Sequence, residues 1–177
     1  MRIGILGGSF NPVHNGHLGL ARRAIASLAL DRLLVIPANV SPFKVAPPSQ
    51  GTDASVTFDR LALVRSAFAS IPEAVVDDRE MKRGGVSYAI DTVREIAAEN
   101  PGAELFFIVG EDAAAGLPRW KGYEELKRLC RFVPFPRTFE SSTEIRRRLA
   151  AGESVEGLVP EGMESVKCKM KSVKCKM

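Results

Sequence analysis

The chain has 177 residues, of which 45% are hydrophobic and 26% are charged, a balance typical of one globular domain. The net charge of +4 comes from residues 162–177, which hold five lysines and one glutamate, so residues 1–161 are neutral and lack the basic field expected of a protein that binds a nucleic acid polymer. No apolar run approaches the roughly 18 residues of a membrane span, no signal-peptide pattern opens the chain, and three cysteines exclude a disulfide scaffold. We therefore expect a reduced, cytoplasmic protein without a membrane partner.

Apolar runs and helical periods alternate along the chain. The runs predict strands at residues 3–6, 33–36, 74–76, 105–109 and 131–135. Helical spacing predicts helices at about 16–30, 59–70, 87–99, 124–129 and 142–151. This alternation predicts an α/β fold with a doubly wound parallel sheet, whose ligands bind at the carboxyl ends of the strands.

Two other stretches lie outside these predicted helices and strands. Residues 37–55 are rich in Pro, Ser and Gly, which is typical of a functional loop such as a lid. The sequence Ser-Val-Lys-Cys-Lys-Met occurs at 165–170 and again at 172–177, in a spacing that fits either a coiled-coil seam or a strand. We expect residues 1–161 to form the domain and the basic tail 162–177 to have no catalytic role.

The segment from Gly7 to His17 leads from the first strand into the first helix. Its glycines permit a tight turn, and the helix N-terminus offers free N–H groups to an anion. It matches neither the dinucleotide fingerprint nor a P-loop. Both histidines of the chain, His14 and His17, lie here. By local chemistry they could bind phosphate, form part of a metal site that needs a third ligand, or cap the helix.

This segment contains Gly-Ser-Phe-Asn-Pro-Val-His-Asn-Gly-His, which resembles the signature of the nucleotidyltransferase superfamily with the (His/Thr)-x-Gly-His motif. Within that superfamily the chain is similar, from Arg2 to about Pro160, to the bacterial branch that adenylylates nicotinate mononucleotide. Further matches follow in order at residues 41–44, 86–92, 107–112, 117–120 and 141–146. The resemblance implies a Rossmann-like nucleotidyltransferase domain.

The resemblance also implies a reaction. ATP and nicotinate mononucleotide would give nicotinate adenine dinucleotide and pyrophosphate, a step of NAD biosynthesis, with Mg²⁺ accompanying ATP. The attacking phosphate oxygen is already anionic, so no general base is required. His14, His17, Lys44 and Arg146 are instead expected to supply positive charge around the reacting phosphates.

The ATP site is expected on the loops after the first and fourth strands and on the start of the last helix. Ser141 and Ser142 open that helix, and Arg146 one turn later can fork onto phosphate oxygens, although a solvated cap would look the same. Asp112 could hold ribose or a metal-bound phosphate, or cap the next helix. The expected ATP-binding residues are Gly8, Ser9, Phe10, His17, Gly110, Asp112, Ser141, Ser142 and Arg146.

The acceptor site is expected at Ser87, Tyr88 and Trp120. By resemblance Trp120 stacks on the nicotinate ring, although a single tryptophan is more often a packing residue. The Ser87-Tyr88 turn would present backbone N–H groups to the nicotinate carboxylate. Ala89 stands where the family often has Thr, and the stretch between Arg131 and Ser141 is shorter than is usual in the family.

Two alternatives remain at this stage. One is a sister transferase that uses nicotinamide mononucleotide or phosphopantetheine, and Trp120 with the Ser87-Tyr88 turn argues against the pantetheine branch. The other is a nucleotide-binding module without turnover, and the presence of His14, His17 and Arg146 argues against it. The sequence predicts no particular oligomeric state.

Overall fold

The structure, a computed structural model, describes residues 1–42, 54–136, 140–161 and 163, with side chains in the second range from Arg60 onward. Its strands are β1 (Arg2–Gly8), β2 (Arg32–Pro37), β3 (Ala74–Val76), β4 (Glu104–Gly110) and β5 (Arg131–Phe135). Its helices are α1 (Asn15–Leu28), α2 (Ala54–Phe68), α3 (Arg79–Arg83), α4 (Ala89–Glu99), α5 (Glu111–Ala114), α6 (Tyr123–Leu129) and α7 (Ser142–Ala151).

The five strands form one sheet in the order β3-β2-β1-β4-β5, and every neighbouring pair is parallel. From β1 the chain builds outward to β2 and β3, then returns to place β4 and β5 on the other side of β1. The strand order therefore reverses between β1 and β4, which is where a doubly wound sheet opens a crevice for ligands. The predicted fold class is confirmed.

The sheet is buried on both faces, as its continuously apolar strands predict. Phe106 and Ile108 of β4 belong to a cluster that includes buried residues of α1, α2 and α7. Leu105, Phe107 and Val109 of the same strand point the other way, into a cluster with buried residues of α4 and α6. Successive side chains of a strand alternate between faces, so one apolar strand fills both layers of the core.

The predicted elements agree closely with the structure, with three differences. Helix α2 begins at Ala54 rather than at residue 59, and the short helices α3 and α5 were not predicted. Helices of four or five residues make too few turns to show an apolar period. The proposed lid at 37–55 falls largely outside the described residues, as do residues 137–139 of the shortened segment and nearly all of the tail. Within the described ranges, no helix is long and apolar enough to cross a membrane.

Candidate active site

A cavity of about 880 Å³ opens at the carboxyl ends of β1 and β4. Its volume lies in the range typical of sites for small molecules. It is lined by every expected site residue that the structure describes, namely Gly8, Ser9, Phe10, His14, His17, Ser87, Tyr88, Gly110, Asp112, Trp120, Ser141, Ser142 and Arg146. Lys44 lies outside the described residues. The tertiary structure thus brings together motifs that are far apart in the sequence.

The two histidines stack at the start of α1, with ring centroids 3.7 Å apart. His14 is the N-cap residue and is buried, and its backbone N–H donates to Nδ1 of His17 at 3.2 Å. A ring nitrogen that accepts a hydrogen bond has no proton of its own, so the proton of a neutral His17 lies on Nε2. In neutral His17, Nε2 is therefore the ring nitrogen that can donate to an anion.

The metal-pair hypothesis finds no third ligand in the structure. Among the described residues, no group of three or more His, Cys, Asp or Glu side chains could hold a metal ion. A metal ion that enters with a nucleotide takes phosphate and water oxygens and needs few protein ligands. Asp112, a carboxylate on the cavity wall, is suited to such a partial contact.

Phe10 holds the glycine-rich loop in an unusual conformation. Its φ of 43° lies in the left-handed region, which side chains other than glycine rarely occupy. The Phe10 ring is buried and packs against the rings of Phe68 and His17, with centroid distances of 6.1 Å and 4.8 Å. A Cβ on Gly8 would lie 3.1 Å from the same ring, so a side chain at that position would push against it. The packing of one aromatic ring therefore fixes the loop beside His17.

Helix α7 brings a second helix start against this loop. Ser141 is its N-cap and accepts the N–H of Glu144 at 3.1 Å, as the serine-rich cap predicts. The Ser142 hydroxyl donates to the Pro12 carbonyl at 2.9 Å, and Arg146 donates to the carbonyl of Asn11. The starts of α1 and α7 therefore line one cavity, and hydrogen bonds tie α7 to the loop that precedes α1.

The arginines of α7 differ in their partners. Arg147 and Arg148 both pair with Glu144 and hold the pKa of that carboxyl down to about 2. Arg146 forms no ion pair with the described residues, and its donors contact a carbonyl and the hydroxyl of Thr143. A guanidinium without a carboxylate partner can turn to phosphate oxygens at little cost.

Gly110 and Asp112 lie together at the end of β4. A Cβ on Gly110 would lie 2.6 Å from Oδ1 of Asp112, so the carboxylate folds closely against the backbone of the glycine. A side chain at position 110 would displace Asp112 from the cavity wall. The Gly-Glu-Asp sequence thus places a carboxylate at the second strand end that the fold makes available to ligands.

The Ser87-Tyr88 turn differs in one respect from the sequence prediction. The N–H of Ser87 donates to the Val40 carbonyl at 2.8 Å, and its hydroxyl accepts the N–H of Asn39 at 2.9 Å. Ser87 is buried by these contacts and does not present its own N–H to a ligand. Tyr88 is the N-cap of α4, so the N–H groups available at this turn are those of Tyr88 and Ala89.

Trp120 lies on the cavity wall within an aromatic cluster. It meets Phe107 and Phe132 at interplanar angles of 83° and 90°, with ring centroids 5.6 Å and 6.0 Å away. Both packing and ligand contact are therefore compatible with its position. Its neighbour Lys121 places Nζ 4.2 Å from the centroid of the Tyr88 ring. This end of the cavity combines aromatic faces, helix N–H groups and an ammonium group.

Two charged residues near the cavity were not predicted from the sequence. Glu80 is buried and accepts hydrogen bonds from the hydroxyls of Thr92, at 2.6 Å, and Ser87. Burial raises the pKa of Glu80 above its ordinary value. Arg60 donates to the carbonyls of Ser9 and Ala38 beneath the glycine-rich loop. No sequence motif distinguishes either residue from a surface charge.

The cavity wall carries charged residues of both signs, and residues 1–161 as a whole are neutral. Four basic residues line it, and they come from separate parts of the chain: Arg23, Arg119, Lys121 and Arg146. Three acidic residues also line it: Glu80, Asp112 and Glu140. Such a mixed surface binds an anion through particular contacts rather than through a long-range field.

Comparisons with known proteins agree on one family. Residues 5–148 match the cytidylyltransferase-like family. A protein of Synechococcus sp. (strain JA-3-3Ab), named probable nicotinate-nucleotide adenylyltransferase, is 36% identical over 191 residues that cover 92% of this chain and 90% of the relative. A Geobacter sp. (strain M21) protein of the same name is 43% identical over 157 residues, which cover 86% of this chain and 70% of the relative.

A solved structure gives the same fold. The crystal structure of a Vibrio parahaemolyticus protein, assigned as a nicotinate-nucleotide adenylyltransferase, superposes with a TM-score of 0.73 at 21% identity. The match covers 95% of this chain and 99% of that protein. At this identity the likeness concerns the fold alone.

Proposed function

The chain belongs to the nicotinate-nucleotide adenylyltransferase family, and from this premise we propose that it transfers the adenylyl group of ATP to nicotinate mononucleotide. The products are nicotinate adenine dinucleotide and pyrophosphate, a step of NAD biosynthesis. One observation supports this function above the others. One cavity is lined by His17 and Arg146, which can donate to phosphate, and by the aromatic side chains of Tyr88 and Trp120. These are the two parts that a nucleotide and a pyridine mononucleotide require.

The chemistry is a displacement at the α-phosphorus of ATP. A phosphate oxygen of the mononucleotide forms the new P–O bond, the bond between the α- and β-phosphates breaks, and pyrophosphate leaves with the electron pair. The attacking oxygen is already anionic, so no side chain needs to remove a proton. The protein acts by holding the two phosphates in line and by stabilising the charge that moves onto pyrophosphate.

The described residues can divide this work between the two helix starts. Nε2–H of His17 donates to the triphosphate, since Nδ1 is occupied by the His14 N–H. Arg146 exchanges its Asn11 carbonyl for phosphate oxygens. We propose that His14 and Lys44 add to the same positive field. Mg²⁺ accompanying ATP would supply further charge neutralisation, and the Asp112 carboxylate on the cavity wall would contact it.

The acceptor is proposed to bind at the other end of the cavity. The Trp120 ring offers a face to the flat, cationic pyridine. The N–H groups of Tyr88 and Ala89 at the start of α4 can donate to a carboxylate more strongly than to an amide oxygen. An amide would also direct its NH₂ group at donors and leave them unpaired. We therefore propose a preference for the acid over the amide mononucleotide.

The partners follow from the same chemistry. We propose ATP and nicotinate mononucleotide as ligands. We propose no nucleic acid polymer as a partner, because residues 1–161 are neutral and lack the net positive charge that attracts a polyanion. We also propose a cytoplasmic location, where ATP is abundant and the buried thiol of Cys130 stays reduced.

The test is an acceptor panel. The full chain is incubated with ATP and Mg²⁺ together with nicotinate mononucleotide, nicotinamide mononucleotide or phosphopantetheine, and pyrophosphate and the adenylylated product are measured. A reaction without acceptor controls for ATP hydrolysis. We expect pyrophosphate and dinucleotide to appear in equal amounts, with the highest kcat/KM for the acid. Equal efficiency with the amide, or no product with any acceptor, contradicts the proposal.

A further inference from the structure

Arg60 joins the carboxyl ends of β1 and β2, two neighbouring strands of the sheet. Its side chain leaves α2 and donates through one terminal nitrogen to the Ser9 carbonyl at 3.0 Å and through the other to the Ala38 carbonyl. Ser9 directly follows β1, and Ala38 directly follows β2. A planar guanidinium suits this task because its two terminal groups donate in fixed, divergent directions.

The contact with Ser9 sets the direction of a neighbouring N–H group. In a trans peptide the carbonyl and the following N–H point in opposite directions, so a Ser9 carbonyl held by Arg60 turns the N–H of Phe10 away from Arg60. Ser9 and Phe10 line the cavity, whereas Arg60 is not part of its wall. The Phe10 N–H therefore points away from Arg60, and we take it to face the cavity that Ser9 and Phe10 line.

The same peptide is held in a conformation that needs support. Phe10 has a left-handed φ of 43°, which costs free energy for a residue with a side chain. Two features keep it there: the buried Phe10 ring on one side and the Arg60 hydrogen bond to the preceding carbonyl on the other. A backbone that is fixed before the ligand arrives loses less entropy on binding.

The stability of the fold alone gives little reason for an arginine at this position. Arg60 is half-buried, and burial lowers the pKa of its guanidinium, which stays protonated. Its Nε is buried and makes no hydrogen bond with the described residues, and no carboxylate among them forms an ion pair with it. A partly buried charge without a counter-ion costs free energy, so an arginine at position 60 indicates a role other than stabilising the fold.

We propose that Arg60 is a positioning residue for the nucleotide phosphates: it fixes the Ser9–Phe10 peptide so that its N–H meets the anion, and it places a positive charge behind that peptide. This inference rests on the proposed function for the identity of the anion. Arg60 acts through the loop and does not touch the substrate.

The test compares Arg60→Gln and Arg60→Lys with Arg65→Gln. Arg65 lies on the same helix, is exposed, and pairs only with Asp78 at 3.1 Å among the described residues, so its loss controls for a charge removed from α2. For each variant, kcat, KM for ATP, KM for the mononucleotide and the melting temperature are measured. Calorimetric titration with ATP and Mg²⁺ without acceptor gives Kd independently of turnover.

We expect Arg60→Gln to raise the Kd and KM for ATP by roughly tenfold, since it loses charge-assisted contacts on the loop. KM for the mononucleotide should stay within about twofold of the wild-type value. Arg60→Lys keeps the charge and one carbonyl contact, so it should show a smaller ATP defect, and it serves as the test if the glutamine variant does not fold. Arg65→Gln should resemble the wild type.

The proposal is overturned if the Arg60 variants melt earlier but bind ATP as tightly as Arg65→Gln. It is also overturned if the defect falls equally on ATP and the mononucleotide, which would indicate general disruption of the cavity. Because ATP binding is measured without acceptor, these results are independent of whether nicotinate mononucleotide is the true acceptor. Failure of the acceptor panel would instead reject the proposed function.

Discussion

Replacement of His17 tests the centre of the proposed mechanism. His17→Ala removes the cavity-lining ring whose Nε2–H is the proposed donor, and it also removes the acceptor of the His14 N–H. Loss of one donor that stabilises transition-state charge typically lowers kcat by about 10²–10³-fold. We expect a fall of that size in kcat, with a smaller change in KM for either substrate.

The effect on stability should be separate and modest. The lost cap hydrogen bond spans 3.2 Å and is only partly buried, so we assign it about 1 kcal/mol. For a domain of this size, that corresponds to a decrease in melting temperature of about 2–4 °C. His17→Gln provides a matched variant, since a glutamine at this helix position can accept the His14 N–H while lacking the imidazole donor. It should melt close to the wild type and still turn over slowly.

The assay is pyrophosphate release at saturating ATP and nicotinate mononucleotide, with thermal melting on the same samples. Arg22→Ala is the control on α1, because Arg22 contacts Ser70 at the surface at 3.3 Å. If His17→Ala turns over within about threefold of Arg22→Ala, the assignment of His17 as a charge-stabilising donor is refuted. If His17→Gln restores full turnover, the role of His17 is that of a cap only.

Four further predictions have defined outcomes. Trp120→Ala should raise KM for the mononucleotide by roughly tenfold and spare KM for ATP in steady-state kinetics, and a defect chiefly in ATP would refute ring stacking. Burial raises the pKa of Glu80, so its contribution to stability is full below its ordinary value of 4.5 and declines as the pH rises. The melting temperature of Glu80→Gln relative to that of the wild type should therefore increase as the pH rises above about 4.5, and a difference that stays constant with pH would contradict this. Gly4→Ala should lose about 1–3 kcal/mol in chemical denaturation because its Cβ would lie 2.5 Å from a leucine methyl group, whereas Gly19→Ala, with no atom within 4 Å, should gain up to about 1 kcal/mol. Removal of residues 164–177 should leave turnover within about twofold, and a collapse in activity would show that the tail completes the domain.

The architecture of the domain could be predicted from the apolar pattern alone. Five apolar runs and the helical periods between them predict a doubly wound parallel sheet, and the strands at 74–76 and 131–135 have the predicted bounds. A strand that is buried on both faces of a sheet needs apolar side chains at successive positions, so the continuous apolar runs in the sequence indicate such strands. The two glycine-bounded loops after β1 and β4 could be chosen as site candidates because ligands bind where the strand order reverses.

Only the tertiary structure decided how individual polar groups are used. Ser87 looks like a ligand contact in its motif, yet its N–H and hydroxyl bind Val40 and Asn39 from a loop some 47 residues away. His17 acquires a defined donor nitrogen only when the His14 N–H meets its Nδ1. Arg60 resembles a surface charge in the sequence, but in the fold it donates to the carbonyls of Ser9 and Ala38, two residues that line the cavity. The face of a helix or strand that is buried can be predicted from the spacing of its apolar residues, which is visible in the sequence. A hydrogen bond depends instead on which distant residue lies within about 3 Å and in what direction, which only the folded structure shows.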